Sequence, residues 1–194
     1  MDIILASASP RRKKLLAMIY EDFKVMPSDI RELVPRDLEV EKCPEYLANA
    51  KAEMVSHGRE KSLVIGCDTS VICEGQMLNK PRDTNDARIM MNMLSGAVHK
   101  VITGCSLFYM GKSTSFSVST DVEFFELSEQ EIENYINTSE PYDKAGGYGI
   151  QNKGALFVKG IHGDYYNVVG LPIARLKRAI DEFLESEEIK ALTK

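Results

Sequence analysis

An aspartate that closes an apolar run is the first residue of this chain with chemistry to offer. In residues 63–83, LVIGCDTSVICEGQMLNKPRD, the apolar Leu63, Val64 and Ile65 read as a buried strand, Gly66 and Cys67 follow, and Asp68 delivers a carboxylate where that strand is expected to end. Ligands of open α/β sheets bind outside the carboxyl ends of the strands, so Asp68 is a candidate for catalysis. The competing reading is a turn residue that bonds its own backbone. Glu74-Gly75 then reads as a turn that brings Lys80 back just before Pro81.

Two further stretches carry polar groups suited to a phosphorylated ligand. Ser9-Pro10 reads as an N-cap followed by proline at the first helical position, which predicts a helix over 10–19. Arg11 and Arg12 fall in its first turn, where the helix dipole disfavours cations, and that placement makes sense if an anion shares the spot. A solvated basic face is the alternative. In residues 140–154, EPYDKAGGYGIQNKG, four glycines interleave with Asp143, Lys144, Tyr148, Ile150 and Gln151, so the backbone can take positive φ and approach a ligand closely.

The elements that must position these groups alternate β and α at first and become strand-rich later. Strands are expected over 3–5 and 23–26, and a helix from Pro44 to about Ser56 with Tyr46, Leu47, Ala50 and Met54 inward and Lys51 on a different face. Asp83 or Thr84 caps a helix carrying Ala87, Met90, Met91 and Leu94 at helical spacing. Two long strands, 100–109 and 115–125, flank the hairpin signal Met110-Gly111-Lys112, and Ser128 to Glu131 forms a capping box for a helix to about Asn137. Strands over 156–159 and 165–169 come next. A helix over 172–184 with Ala174, Ile180 and Leu184 inward closes the fold, and residues 185–194 are expected to fray. These patterns predict an α/β protein with one continuous mixed sheet bent into two lobes around a cleft, a single domain over 1–194.

Composition removes several classes. The 194 residues are 44% hydrophobic and 27% charged, ordinary for a folded globular chain. No apolar run approaches the roughly 18 residues of a membrane span, and basic Arg11 to Lys14 follow the first apolar stretch, the reverse of a secretory signal, so a cytoplasmic address and no membrane partner are expected. The four cysteines form no CxxC pair and the three histidines no HExxH, which removes the usual zinc and disulfide signatures. A net charge of −5 argues against nucleic acid, which needs clustered cations over an extended surface.

Taken together, SASPRR at 7–12, GCDTSV at 66–71, LNKPRD at 78–83, LSGAVHKVITG at 94–104 and DKAGGYGIQNKGALFVKGIHGDYYNVVGLP at 143–172 resemble the Maf family in order and spacing across essentially the whole chain. The resemblance implies a nucleoside triphosphate pyrophosphatase that cuts between the α and β phosphates with a divalent metal, Mg²⁺ or Mn²⁺. It also implies an elongated mixed sheet flanked by helices, two lobes around a central cleft, similar to inosine triphosphate pyrophosphatase folds, in a family where homodimers are common.

By position, Asp68 matches the family's proton acceptor, and Arg12, Thr69 and Gln151 match the positions tied to substrate choice. Ser7, Arg11, Glu32, Lys51 and Lys80 fall where the family lines its phosphate and metal site, with Asp68 and Glu32 as the metal carboxylates. GCDT paired with YGIQ looks like the branch that prefers dTTP and UTP. Cys67, Asn79, Gly147 and Arg31 depart from the family's usual Ala, Gly, Ala and acid. Asp68 could take the proton of the attacking water or hold the metal, and both roles stay open. The alternative function is a regulatory nucleotide-binding protein acting on cell division and septum formation.

Overall fold

The computed structural model describes residues 1–192. Its strands are β1 (Asp2–Leu5), β2 (Lys24–Val25), β3 (Ser62–Cys73), β4 (Gln76–Leu78), β5 (Val98–Tyr109), β6 (Lys112–Phe124) and β7 (Val158–His162). Its helices are α1 (Pro10–Leu16), α2 (Cys43–Ser56), α3 (Thr84–Leu94), α4 (Glu129–Ile136), α5 (Tyr165–Val169), α6 (Ile173–Leu184) and α7 (Glu187–Leu192). The strands form one mixed sheet in the order β2-β1-β3-β5-β6-β7, with β4 paired to β3. β1 runs parallel to β2 and β3, whereas β3–β4 and β6–β7 are antiparallel.

The chain divides into two compact units. Met1–Asp68, Thr103–Val118 and the residues from Gly170 onward make the first, and Thr69–Ile102 with Ser119–Val169 the second. β3, β5 and β6 each contribute to both. In the first unit, Ile4, Ala6, Ala52, Val55 and Val64 bury one face of β1 and β3 against α2. In the second, Ala87, Met91 and Leu94 of α3 and Ile132, Tyr135 and Ile136 of α4 pack with Val71, Val122, Phe124, Tyr148 and Phe157. All four cysteines are buried free thiols.

Local signals explain the element ends. Ser9 caps α1, Asp83 caps α3 by accepting from the Asp86 amide, and Ser128 and Glu131 form the expected reciprocal box at α4. Glu74 (φ 50°) with Gly75 (φ 74°), and Met110 (φ 52°) with Gly111 (φ 73°), take left-handed backbone at two hairpins, β3–β4 and β5–β6.

The structure corrects several expectations. β3 does not end at Asp68; it continues through Cys73 because Val71, Ile72 and Cys73 are apolar and find partners in β4. α1 stops at Leu16, three residues early, and β2 shrinks to two residues. α2 turns a different face inward: Leu47, Ala48, Lys51, Ala52 and Val55 are buried, while Tyr46 and Met54 are exposed. Residues 153–157 are a 3-10 turn, and β7 begins only at Val158. Residues 165–169 are helical, not extended, because the Asp164 carboxylate accepts from the Tyr166 amide and starts a helical turn. In α6 the buried set is Leu176, Ala179, Ile180 and Phe183, with Ala174 exposed. The expected frayed end holds α7 instead; its last residues, 193 and 194, lie outside those described.

Candidate functional site

The first unit brings Ser7, Arg12, Glu32, Lys51 and Asp68 together, and two glycines make that possible. A Cβ on Gly66 would lie 2.2 Å from the Ala48 carbonyl oxygen, and one on Gly104 would lie 2.3 Å from the Glu45 nitrogen. Helix α2 therefore rests directly on the backbone of β3 and β5. That close approach turns Lys51 toward the sheet, and its Nζ lies 2.5 Å from Asp68 Oδ1 and 2.6 Å from Glu32 Oε1. Lys51 and Asp68 are buried, with side chains 11% and 12% exposed, whereas Glu32 reaches in from a solvated loop at 58%.

Asp68 is electrostatically unusual for a carboxylate touching an ammonium. Burial pushes its pKa above the ordinary carboxylate range; Lys51 and Arg12 pull it down and Glu32 pushes it up, and desolvation is the largest of these effects. A carboxylate raised in this way is a better proton acceptor near neutral pH than a surface aspartate.

Arg12 supplies the second cation. Its Nε donates to the Gly170 carbonyl at 2.9 Å, and its Nη1 donates to the Cys67 carbonyl at 2.9 Å and to Ser7 Oγ at 3.1 Å. The guanidinium thus locks the segment after β1, the residue before Asp68 and the entry to α6 into one arrangement. The cation at the start of α1, which looked anomalous beside the helix dipole, is held by these carbonyls. Ser7 is also buried and accepts from the Ser9 amide at 3.3 Å. Arg11, the neighbouring candidate, is half-buried.

The remaining candidates belong to the second unit. Thr69 is half-buried next to Asp68 along β3, and Lys80 and Gln151 are exposed. Gln151 sits with Ile150 at the centre of a turn closed by the Asn152 amide on the Gly149 carbonyl at 3.4 Å. Supports of this turn had no obvious sequence signal. Glu140 accepts from the Lys153 and Gly154 amides, both at 3.1 Å, and from the Tyr135 hydroxyl at 3.1 Å. Lys144, 9% exposed, donates to the Glu140 carbonyl at 2.7 Å and to Asp143 Oδ1 at 2.5 Å. The interleaved glycines were the available clue: Gly146 and Gly147 take φ of 68° and 71°, and a Cβ on Gly149 would lie 2.7 Å from Lys144 Cε.

The donor set fits a hard divalent cation. No cluster of three or more His, Cys, Asp or Glu is found among the described residues. Two carboxylates converging on one ammonium nevertheless define a place where positive charge is favoured, and Mg²⁺-type ions are commonly held by one or two carboxylates with substrate phosphates and water completing the shell.

The profile of a family described as Maf-like protein matches residues 2–183. A dTTP/UTP pyrophosphatase of Bacillus cytotoxicus is 47% identical over 185 residues, covering 93% of this chain and 94% of the relative. A dTTP/UTP pyrophosphatase of Halalkalibacterium halodurans is 44% identical over 178 residues, covering 92% of this chain and 94% of the relative. A HAM1 protein from Coxiella burnetii, a solved structure, shares the fold at a TM-score of 0.54 and 12% identity, over 94% of this chain and 99% of that one. No helix among the described residues is long and apolar enough to cross a membrane.

Proposed function

The chain belongs to the Maf family, and from that premise we propose that it hydrolyses dTTP and UTP at the α–β phosphoanhydride, releasing the nucleoside monophosphate and pyrophosphate. The observation that carries the reading is the buried Asp68–Lys51–Glu32 arrangement, a raised carboxylate beside a lysine in a site walled by α2 and β3. The family match over 2–183 supports treating the chain as one functional domain.

Phosphoanhydride hydrolysis needs an oriented water, neutralised phosphoryl oxygens and a stabilised pyrophosphate leaving group. Asp68 accepts the proton of the attacking water as the oxygen bonds to the α-phosphorus and the bond to the β-phosphate bridging oxygen breaks. Lys51 and Arg12, with Arg11 and Lys80, balance the triphosphate charge, and Ser7 adds a hydroxyl donor. A divalent cation would be held by Asp68 and Glu32, where it supplies neutralisation of phosphate charge and a lowered pKa for coordinated water.

Gln151 reads the base. Its amide donates and accepts in one plane, matching O4 and N3–H of thymine or uracil, while cytosine presents the reverse pattern; Thr69 adds a hydroxyl. Homologues named as dTTP/UTP pyrophosphatases favour this enzyme reading over a purely regulatory role in septum formation.

The test is a nucleotide panel with Mg²⁺ or Mn²⁺ that scores pyrophosphate against orthophosphate for wild type and Asp68→Asn. Pyrophosphate from dTTP and UTP, with activity lowered at least about 100-fold in Asp68→Asn, is the expected result. Orthophosphate as first product, or full activity in Asp68→Asn, overturns the reading.

A further inference from the structure

His99 on β5 is 1% exposed, yet it is not a satisfied core histidine. Its Nε2 meets the Tyr148 hydroxyl at 2.7 Å, and its Nδ1 has no hydrogen-bonding partner among the described residues. If Nε2 accepts from Tyr148, the Nδ1–H points at nothing; if Nε2 donates, the Nδ1 lone pair is bare. The surroundings are aromatic, with the Phe124 ring edge-on at 5.0 Å and Phe124 stacked edge-on with Tyr148 at 4.7 Å. Phenylalanine at both 99 and 148 would suit that cluster without an orphaned polar atom. A buried, half-satisfied imidazole costs stability, and the polar group it does meet is the Tyr148 hydroxyl.

Tyr148 is where the Gly-rich segment is anchored. It is 5% exposed, directly after the left-handed Gly147, and the turn that presents Gln151 opens one residue later at Gly149. Downstream, the same turn is fastened by Glu140 through the amides of Lys153 and Gly154. Between those two fastenings lie only Gly149, Ile150, Gln151 and Asn152, too short a span to take its geometry from anything but its ends. We propose that His99 is a positioning residue for base recognition: by fixing the Tyr148 hydroxyl it sets the turn that aims Gln151. The proposal rests on the reading of Gln151 as the base-selecting residue.

Three variants test it by measuring kcat and KM for dTTP and dCTP alongside thermal unfolding. The double variant His99→Phe/Tyr148→Phe removes both polar partners at once, a change that is often neutral or stabilising. Its melting temperature should match or exceed wild type, while the dTTP-over-dCTP ratio of kcat/KM drops about tenfold or more, mainly through a higher KM for dTTP. A folded double variant with wild-type selectivity overturns the proposal. If the double variant does not fold, Tyr148→Phe alone, which deletes one oxygen, is scored the same way, and unchanged selectivity there overturns the proposal equally. Gln151→Ala separates the two layers. Retained dTTP preference in Gln151→Ala removes the base-reading role and the proposal with it, whereas lost preference there with wild-type selectivity in the His99 and Tyr148 variants removes only the proposal.

Discussion

At the scale of single residues, the site is governed by one buried ion pair whose cost and use are the same fact. Asp68 has a folded-state pKa above its unfolded value, so as pH rises between the two the unfolded chain gives up its proton first and stability falls. At neutral pH the charged Asp68 is therefore a net burden on the fold. Asp68→Asn keeps an oxygen for Lys51 and relieves that burden. Its melting temperature at pH 7.5 is expected to equal or exceed wild type while activity drops at least about 100-fold, measured by calorimetry and pyrophosphate release. Lys51 pulls the Asp68 pKa down, so Lys51→Met should move the acid limb of kcat/KM to higher pH; an acid limb that stays put would separate Asp68 from the proton transfer.

At the scale of elements, the Asp68–Lys51–Glu32 arrangement depends on how closely α2 approaches the sheet. Gly66 reads in the sequence as the end of a strand. In the fold it is a contact point in mid-strand, pressed against the Ala48 carbonyl. Gly66→Ala forces a methyl group into backbone that has no side chain to rotate away. A loss of about 3 kcal/mol or more is expected from urea unfolding, with activity falling further than stability because Lys51 is carried away from Asp68. The capping box of α4 acts more locally: Ser128→Ala should cost about 1 kcal/mol in the same unfolding measurement and leave kcat unchanged.

At the scale of the whole molecule, His99 is one source of acid sensitivity. Burial lowers its folded-state pKa to about 4, against an unfolded value near 6.5, so below that value the unfolded chain takes up a proton that the folded chain refuses. The group it faces, the Tyr148 hydroxyl, carries no charge to offset the proton, and burial raises the Tyr148 pKa further still. The contribution from His99 is therefore complete above about pH 6.5, and a loss of roughly 3 kcal/mol from this group is expected as pH drops toward 4. The His99→Phe/Tyr148→Phe variant should show a flatter melting-temperature profile across that window. The chain's sequence alone determined the α/β class, the turn at Glu74-Gly75, the hairpin at Met110-Gly111, the caps at Ser9 and Ser128, and the identity of the charged candidates. Those features are legible because they depend on residues within one turn or one hydrophobic period. Tertiary structure alone decided that Asp68 lies within a long strand, that Lys51 faces inward between Asp68 and Glu32, and that residues 165–169 form a helix. The physical reason is that each of these outcomes is set by a partner distant in the chain or by a competing local bond. β4 extends β3, two glycines admit α2 to the sheet, and the Asp164 carboxylate outweighs the β-prone run of Tyr165 to Val169.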